Sequence, residues 1–311
     1  MLDKLRETAM KALEEVGVEA ILGFRETRAP LVSTPFVART PNDISALTVD
    51  YFCGVNIATY LHRWKGKKVA VVARGCEVRA IVALCVEKQL SRDEIYIIGV
   101  PCKGAIDRSL VDAHLGGERI ENAHVKGDKL CVDVEDGVVE IPLEDVLSPT
   151  CRWCAYPTPP VYDVLVGEPI EGKGGYPDVE EFEKLSCDER WERFSSEIER
   201  CIRCYACRQA CPMCYCEECF VDSTNPEWVE PGLSISDLAV WHIMRAYHQA
   251  GRCVDCGACE RACPMGIKLV YLTRKLNKDT EALYGFTAGI SLEENPPLAN
   301  YRLDDAEEFI M

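Results

Sequence analysis

Positive charge is scarce in this chain: 35 lysines and arginines stand against 51 aspartates and glutamates over 311 residues, a formal net charge of −16. Such an acidic molecule repels phosphate backbones, so no nucleic-acid ligand is expected. Long apolar runs are missing as well. The longest, such as Ala80–Val86, fall far short of the roughly 18 residues that cross a bilayer, which argues against direct membrane insertion. The five histidines, His62, His114, His124, His242 and His248, show no metal-ligand pairing with one another. No Gly-x-Gly-x-x-Gly fingerprint and no Gly-Lys-Ser/Thr phosphate loop occurs. Residues 1–22 are interrupted by Asp3, Lys4, Arg6, Glu7, Lys11, Glu14, Glu15 and Glu19, a pattern unlike a secretory signal. A cytoplasmic location follows as the expectation, and with it reduced thiols.

Cysteine is abundant, at 19 residues. In a reducing compartment that number points to metal ligation rather than disulfides. One pattern occurs twice, Cys-x-x-Cys-x-x-Cys-x-x-x-Cys-Pro, at Cys201, Cys204, Cys207, Cys211, Pro212 and at Cys253, Cys256, Cys259, Cys263, Pro264. In this spacing three close-set thiolates hold one corner of a 4Fe-4S cluster, and the fourth, followed by proline, turns away to ligate the neighbouring cluster. The crossed rule predicts Cys201, Cys204, Cys207 and Cys263 on one cluster, with Cys253, Cys256, Cys259 and Cys211 on the other. Zinc takes four ligands per ion and suits two three-plus-one groups poorly.

Around these motifs the chain reads as two domains. Leu2, Leu5, Ala9, Leu13 and Val16 recur at helical spacing, Gly17 ends the helix, and Val18–Phe24 follows as a strand. Lys68–Val100 contains the run VAVVA, a helical stretch from Glu77 to Gln89 and then IYIIG, a strand, helix and parallel strand. Lys129–Ile141 alternates around Asp136-Gly137 and predicts a hairpin. The expected division is an α/β domain with parallel strands over 1–155 and a connecting segment over 156–180, rich in proline and glycine. A mostly helical two-cluster ferredoxin-like domain over 181–280 and a C-terminal extension over 281–311 complete it. Within the helical part, Phe182–Arg200 reads as one charged helix. Ser236–Ala250 reads as an amphipathic helix that buries Leu238, Val240, Trp241, Met244 and Tyr247.

A further constellation lies in the α/β part. Cys76 follows the strand Val69–Ala73 and Cys102 follows Ile95–Gly99, so both thiols stand at strand carboxyl ends, where open parallel sheets place their ligands. Cys76 also opens a helix, whose N-terminal dipole favours thiolate. Cys151 and Cys154, in CRWC, come just after the hairpin. By themselves these four residues read either as a third cluster site or as small buried hydrophobes beside an unrelated pair.

The order KVAVVARGCEVRAIVAL, IIGVPC, hairpin and CRWCAYPTPPVYDVLVG, with FVARTPNDISAL upstream, resembles the β-subunit family of deazaflavin-reducing hydrogenases and formate dehydrogenases over roughly residues 11–170. That resemblance implies a third 4Fe-4S cluster on Cys76, Cys102, Cys151 and Cys154, with an FAD beside it. The later half is similar to the helical two-cluster domains of heterodisulfide reductase and succinate dehydrogenase iron-sulfur subunits. Family members open with a Gly-Gly-containing stretch before a long helix, whereas this sequence begins almost inside the helix, a departure that bears on the flavin cradle. Arg63, Lys65, Lys67 and Lys68 form the one dense basic patch, read either as a pyrophosphate contact or as a solvated loop before a strand.

Cys214, Cys216 and Cys219 crowd the end of the first motif and, with Cys187, are open to two readings, a fourth metal site or a tightened loop in which one of them replaces Cys211. Cys85, Cys131 and Cys53 read as packing residues. With no acid-base pair or nucleophile arrangement in view, the expected function is electron relay to or from a catalytic partner subunit of formate dehydrogenase, hydrogenase or heterodisulfide reductase type. The alternative is a self-sufficient FAD-dependent enzyme that reduces a deazaflavin or nicotinamide.

Overall fold

In a computed structural model, residues 1–301 are described, and the rest of the expected C-terminal extension lies outside them. Helix α1 (Leu2–Lys11) buries Leu5 and Ala9 and continues through one wider turn to Val16. Gly17, at φ 71°, ends it in the left-handed region that glycine reaches without strain. Strands β1 (Ala20–Glu26) and β2 (Ser33–Ala38), helix α2 (Pro41–Ile44) and strand β3 (Leu47–Thr48) follow, all preceding the unit expected from the sequence.

That unit is β4 (Val69–Ala73), α3 (Gly75–Val86) and β5 (Ile95–Gly99). The helix begins two residues earlier than the apolar pattern indicates, because the Glu77 carboxylate reaches back and accepts the Arg74 backbone N–H at 2.8 Å, fixing the first turn. Every residue of β4 is buried. Each fully buried valine there contributes about 1.5–3 kcal/mol of transfer free energy.

The main sheet runs β2-β1-β4-β5 and closes with β9 (Val164–Leu165), while β3 pairs with β1. Strands β1, β4, β5 and β9 are parallel and β2 and β3 antiparallel to β1. The stretch 156–180, expected as a connecting segment, therefore supplies a sheet strand. Two residues carry no periodicity, and only the free edge of β5 makes them a strand. Between β5 and β9 come α4 (Arg108–Leu115), then β6 (Asn122–Lys126), β7 (Lys129–Val134) and β8 (Gly137–Pro142), an antiparallel three-stranded sheet that contains the expected hairpin. Short helices α5 (Leu143–Val146) and α6 (Pro149–Arg152) return the chain to the main sheet.

Beyond β9 the chain is helical: α7 (Pro177–Glu183), α8 (Cys187–Ile198), α9 (Ala206–Gln209), α10 (Ile235–His248), α11 (Ala258–Arg261) and α12 (Val270–Tyr284). The single charged helix expected over 182–200 is broken in two. Ser186 accepts the Glu189 N–H and Glu189 accepts the Ser186 N–H, so a capping box starts a new helix inside the charged run. Helix α10 buries Leu238, Ala239, Trp241, His242 and Ala246. Val240, Met244 and Tyr247, expected on its buried side, are instead exposed with Ile243.

The helical part has little core of its own, with Phe194, Ile198, Leu238 and Ala239 as its buried cluster. Met213, Val254 and Ala288 are buried instead against α3 and the main sheet. Polar bonds cross the same boundary: Arg79 donates to the carbonyls of Ala288 and Val254, Arg261 to that of Gly54, and Lys268 pairs with Asp107 at 2.7 Å.

Candidate metal centre

The two cysteine motifs fold into the same backbone shape twice. Arg203 and Tyr205 have φ of 50° and 58°, and Asp255 and Gly257, two and four residues after the first cysteine of the second motif, have 56° and 66°. These left-handed residues curl each loop so that its amides face inward. The Arg203 N–H reaches the Cys201 sulfur at 3.4 Å, and the Asp255 N–H reaches the Cys253 sulfur at the same distance. Cys207 and Cys259 then sit on the short helices α9 and α11, and Cys211 and Cys263 follow their last turns.

Cys201, Cys204 and Cys207 line one cavity together with Cys263 from the other motif, among Trp241, Ile267 and Val270. Cys211 in turn bears on Cys253, Cys256 and Cys259, whose negative charges oppose one another's ionisation. Burial pushes the Cys207 and Cys259 thiols up to about 11, while the nearby Arg245 guanidinium opposes the rise at both.

The third group forms at the carboxyl ends of β4 and β5. Cys76 lies in the first turn of α3, Cys102 three residues beyond β5, Cys151 on α6, and Cys154 just after it. All four line one cleft of about 530 Å³, with Lys103, Trp153 and Lys173. The Cys102 sulfur accepts the Gly104 N–H at 3.3 Å and the Cys151 sulfur accepts that of Ala105 at 3.4 Å. Two backbone features draw the segments together. The Cys102 N–H donates to the Pro157 carbonyl at 2.9 Å, and Gly75 lies against the Tyr156 carbonyl, where a Cβ would stand 1.8 Å from the oxygen. Burial raises the thiols of Cys76, Cys102 and Cys154, the last to about 12, and the buried Arg74 guanidinium counters this at Cys76 and Cys102.

The three groups adjoin. The charge of Cys256 acts on the Cys76 thiol, and Cys76 and Cys154 line a cavity of about 120 Å³ together with Cys253. Among the described residues no cluster of three or more histidine, cysteine, aspartate or glutamate side chains is tight enough to grip a single ion. Sulfurs gathered in fours with backbone amides aimed at them are a donor set that suits a cube of iron and sulfide.

The remaining expected residues fall outside these groups. Arg63, Lys65, Lys67 and Lys68 lie at the amino-terminal end of β4, the sheet edge opposite Cys76 and Cys102. There Lys67 pairs with Glu19 and Lys68 donates to the Val16 carbonyl, so the patch does not line the 530 Å³ cleft. Cys187 is exposed at the start of α8. Cys214 instead pairs with Cys211, and Gln249 spans both, its Oε1 3.6 Å from the Cys211 sulfur and its Nε2 3.4 Å from the Cys214 sulfur. Sequence reasoning passed over Gln249 and Arg245. The available signal was an arginine and a glutamine four residues apart, in register with Leu238, Trp241 and His242.

Known proteins match both halves of the chain. Residues 66–181 match the family model described as the C terminus of the beta subunit of coenzyme F420 hydrogenase/dehydrogenase, and residues 197–267 match a 4Fe-4S dicluster domain. The resemblance read from the sequence is thus borne out in both parts, and the chain is an iron-sulfur protein. An F420-dependent formate dehydrogenase subunit beta of Methanocaldococcus jannaschii is 24% identical over 306 residues, covering 79% of each chain. The F420-dependent formate dehydrogenase 1 subunit beta of Methanococcus maripaludis is 24% identical over 294 residues, covering 74% of this chain and 75% of the relative. A chain of the F420-reducing [NiFe] hydrogenase complex from Methanosarcina barkeri is 23% identical over 50% of this chain and 62% of its own length, with a TM-score of 0.36.

Proposed function

We propose that this chain is a cytoplasmic electron-transfer subunit of an F420-dependent oxidoreductase, formate dehydrogenase or a related hydrogenase or heterodisulfide reductase, and that the substrate chemistry takes place on a partner protein. Three 4Fe-4S clusters form its conducting path. Cys201, Cys204, Cys207 and Cys263 hold the first, Cys253, Cys256, Cys259 and Cys211 the second, and Cys76, Cys102, Cys151 and Cys154 the third. Bound there, clusters supply one-electron redox chemistry.

The observation that carries this reading is the cavity that Cys76 and Cys154 of the third group share with Cys253 of the second. The protein's own residues do the rest. Inward amides stabilise the sulfurs' negative charge, Trp241, Ile267 and Val270 keep water from the first group, and Arg74 offsets charge at the third.

Iron analysis of protein purified without oxygen tests the reading, with about twelve atoms per chain expected for three clusters. Replacing Cys76 and Cys151 with serine lowers that by about four; an unchanged count overturns the third cluster. A colourless zinc protein overturns all three.

A second reading, in which the chain itself reduces a deazaflavin or nicotinamide through bound FAD, draws on the size of the 530 Å³ cleft, with Lys103 and Trp153 at its wall. Anaerobic denaturation that releases no FAD removes it.

A further inference from the structure

Arg245 projects from α10 into the cavity lined by Cys201, Cys204, Cys207 and Cys263. Its Nη2 donates to the Cys207 carbonyl at 3.2 Å, and its Nε is buried with no acceptor. Among the described residues the ion pairs of the helical region pass it by: Arg200, Arg208, Arg252 and Arg274 each have a carboxylate, and Arg245 has none. Cys207 of the first motif and Cys259 of the second line the cavity with it, and the charges of Cys259, Cys211, Cys207 and the neighbouring Cys214 act on it. Of the other titratable groups in the cavity, His242 is held neutral by burial and by Arg245 and Arg203, and Glu260 accepts the Val270 N–H.

A buried guanidinium without a paired carboxylate is strongly unfavourable, and here the thiolates and what they hold supply compensating charge. The lone carbonyl bond leaves most of its donors free to face them.

We propose that Arg245 is a positioning residue, the shared counter-cation of the two dicluster sites, set between them to make both easier to reduce. The inference rests on the cluster reading above. One electron, delivered by the partner protein or in vitro by dithionite, adds one negative charge with no bond made or broken and no proton taken up. A fixed positive charge in a poorly hydrated setting favours that reduced state over the oxidised one. Because Arg245 shares its cavity with cysteines of both groups, its effect falls on both.

The test is an anaerobic redox titration of the full-length, iron-loaded protein, followed by electron paramagnetic resonance. In Arg245→Met, both dicluster potentials are expected to fall. At a fixed ambient potential the reduced-to-oxidised ratio drops about tenfold or more, equivalent to 59 mV for a one-electron couple. Arg245→Lys, which keeps the charge, restores most of the ratio, and the third cluster, beside Arg74, is unchanged. Full iron with unshifted potentials in Arg245→Met overturns the proposal. Should that variant fail to retain iron, Arg245→Gln, neutral but still able to donate to the Cys207 carbonyl, is compared with Arg245→Lys, and equal potentials for the two overturn it. Absence of iron from the unsubstituted protein sinks the cluster reading instead, so the two failures are separable.

Discussion

Glu87 and Arg252 join the two halves of the molecule in a two-pronged ion pair, with Nε to Oε1 at 2.6 Å and Nη2 to Oε2 at 2.7 Å. Glu87 caps the carboxyl end of α3, Arg252 immediately precedes Cys253, and the Tyr215 hydroxyl adds a third bond to Glu87 at 2.6 Å. The fork therefore ties the helix that carries Cys76 to the loop that carries the second cysteine group. Both side chains are largely buried, so its loss is not screened away as at a surface pair. Glu87→Gln is expected to cost about 1–3 kcal/mol in denaturant-induced unfolding of the iron-loaded protein. A midpoint equal to that of the unsubstituted chain would falsify the docking role.

Gly75 tests the third group from its backbone. The Cβ of alanine would overlap the Tyr156 carbonyl at 1.8 Å, so Gly75→Ala must push the segment after Cys154 away from Cys76. The expected result is a loss of about four iron atoms per chain with the dicluster resonances retained. Full iron content in that variant contradicts the predicted separation.

Removing iron should act unequally on the two halves. The helical part keeps only Phe194, Ile198, Leu238 and Ala239 as its own core, whereas the main sheet is buried on both faces, by α3 and by α1. Metal-bound thiols then contribute much of the stability of residues 181–280. After anaerobic chelation, hydrogen exchange should accelerate there first and leave β4 and β5 protected. Uniform loss of protection along the chain would count against it.

His242 gives a pH dependence with a definite sign. Burial, helped by Arg245 and Arg203, lowers its pKa to about 4, and its Nε2 has no partner. A lowered histidine is neutral in the folded state. Its contribution is complete above about 6.5 and is lost as pH falls toward 4, by roughly 3 kcal/mol at the lower end. His242→Gln should flatten the stability profile between pH 6.5 and 4. Parallel profiles for the two proteins would show that another group titrates.

The residues most readable from the linear chain were those whose chemistry is local. Cys-x-x-Cys-x-x-Cys places three thiols on one curled loop wherever that loop lies, so the dicluster motifs were legible from spacing. The runs VAVVA and IYIIG were equally plain, because a strand buried on both faces must be apolar throughout, and they occur as β4 and β5 without a change of boundary. Helix breaks were less visible. The capping box at Ser186 interrupts a charged run whose composition reads as continuous helix.

What the amino-acid order determined by itself is the inventory: thiols in sets, an acidic surface, two strands and the helix between them. Tertiary structure decided which sets meet. Cys263 joins the first motif's cavity, Cys76 shares a cavity with Cys253, and Arg245 ends among sulfurs from both motifs, across separations that periodicity does not span. It also made a strand of Val164–Leu165 and moved the basic patch to the far edge of the sheet. The physical reason is range. Spacing and propensity act over a few residues, whereas a shared cavity depends on the whole chain having closed around it.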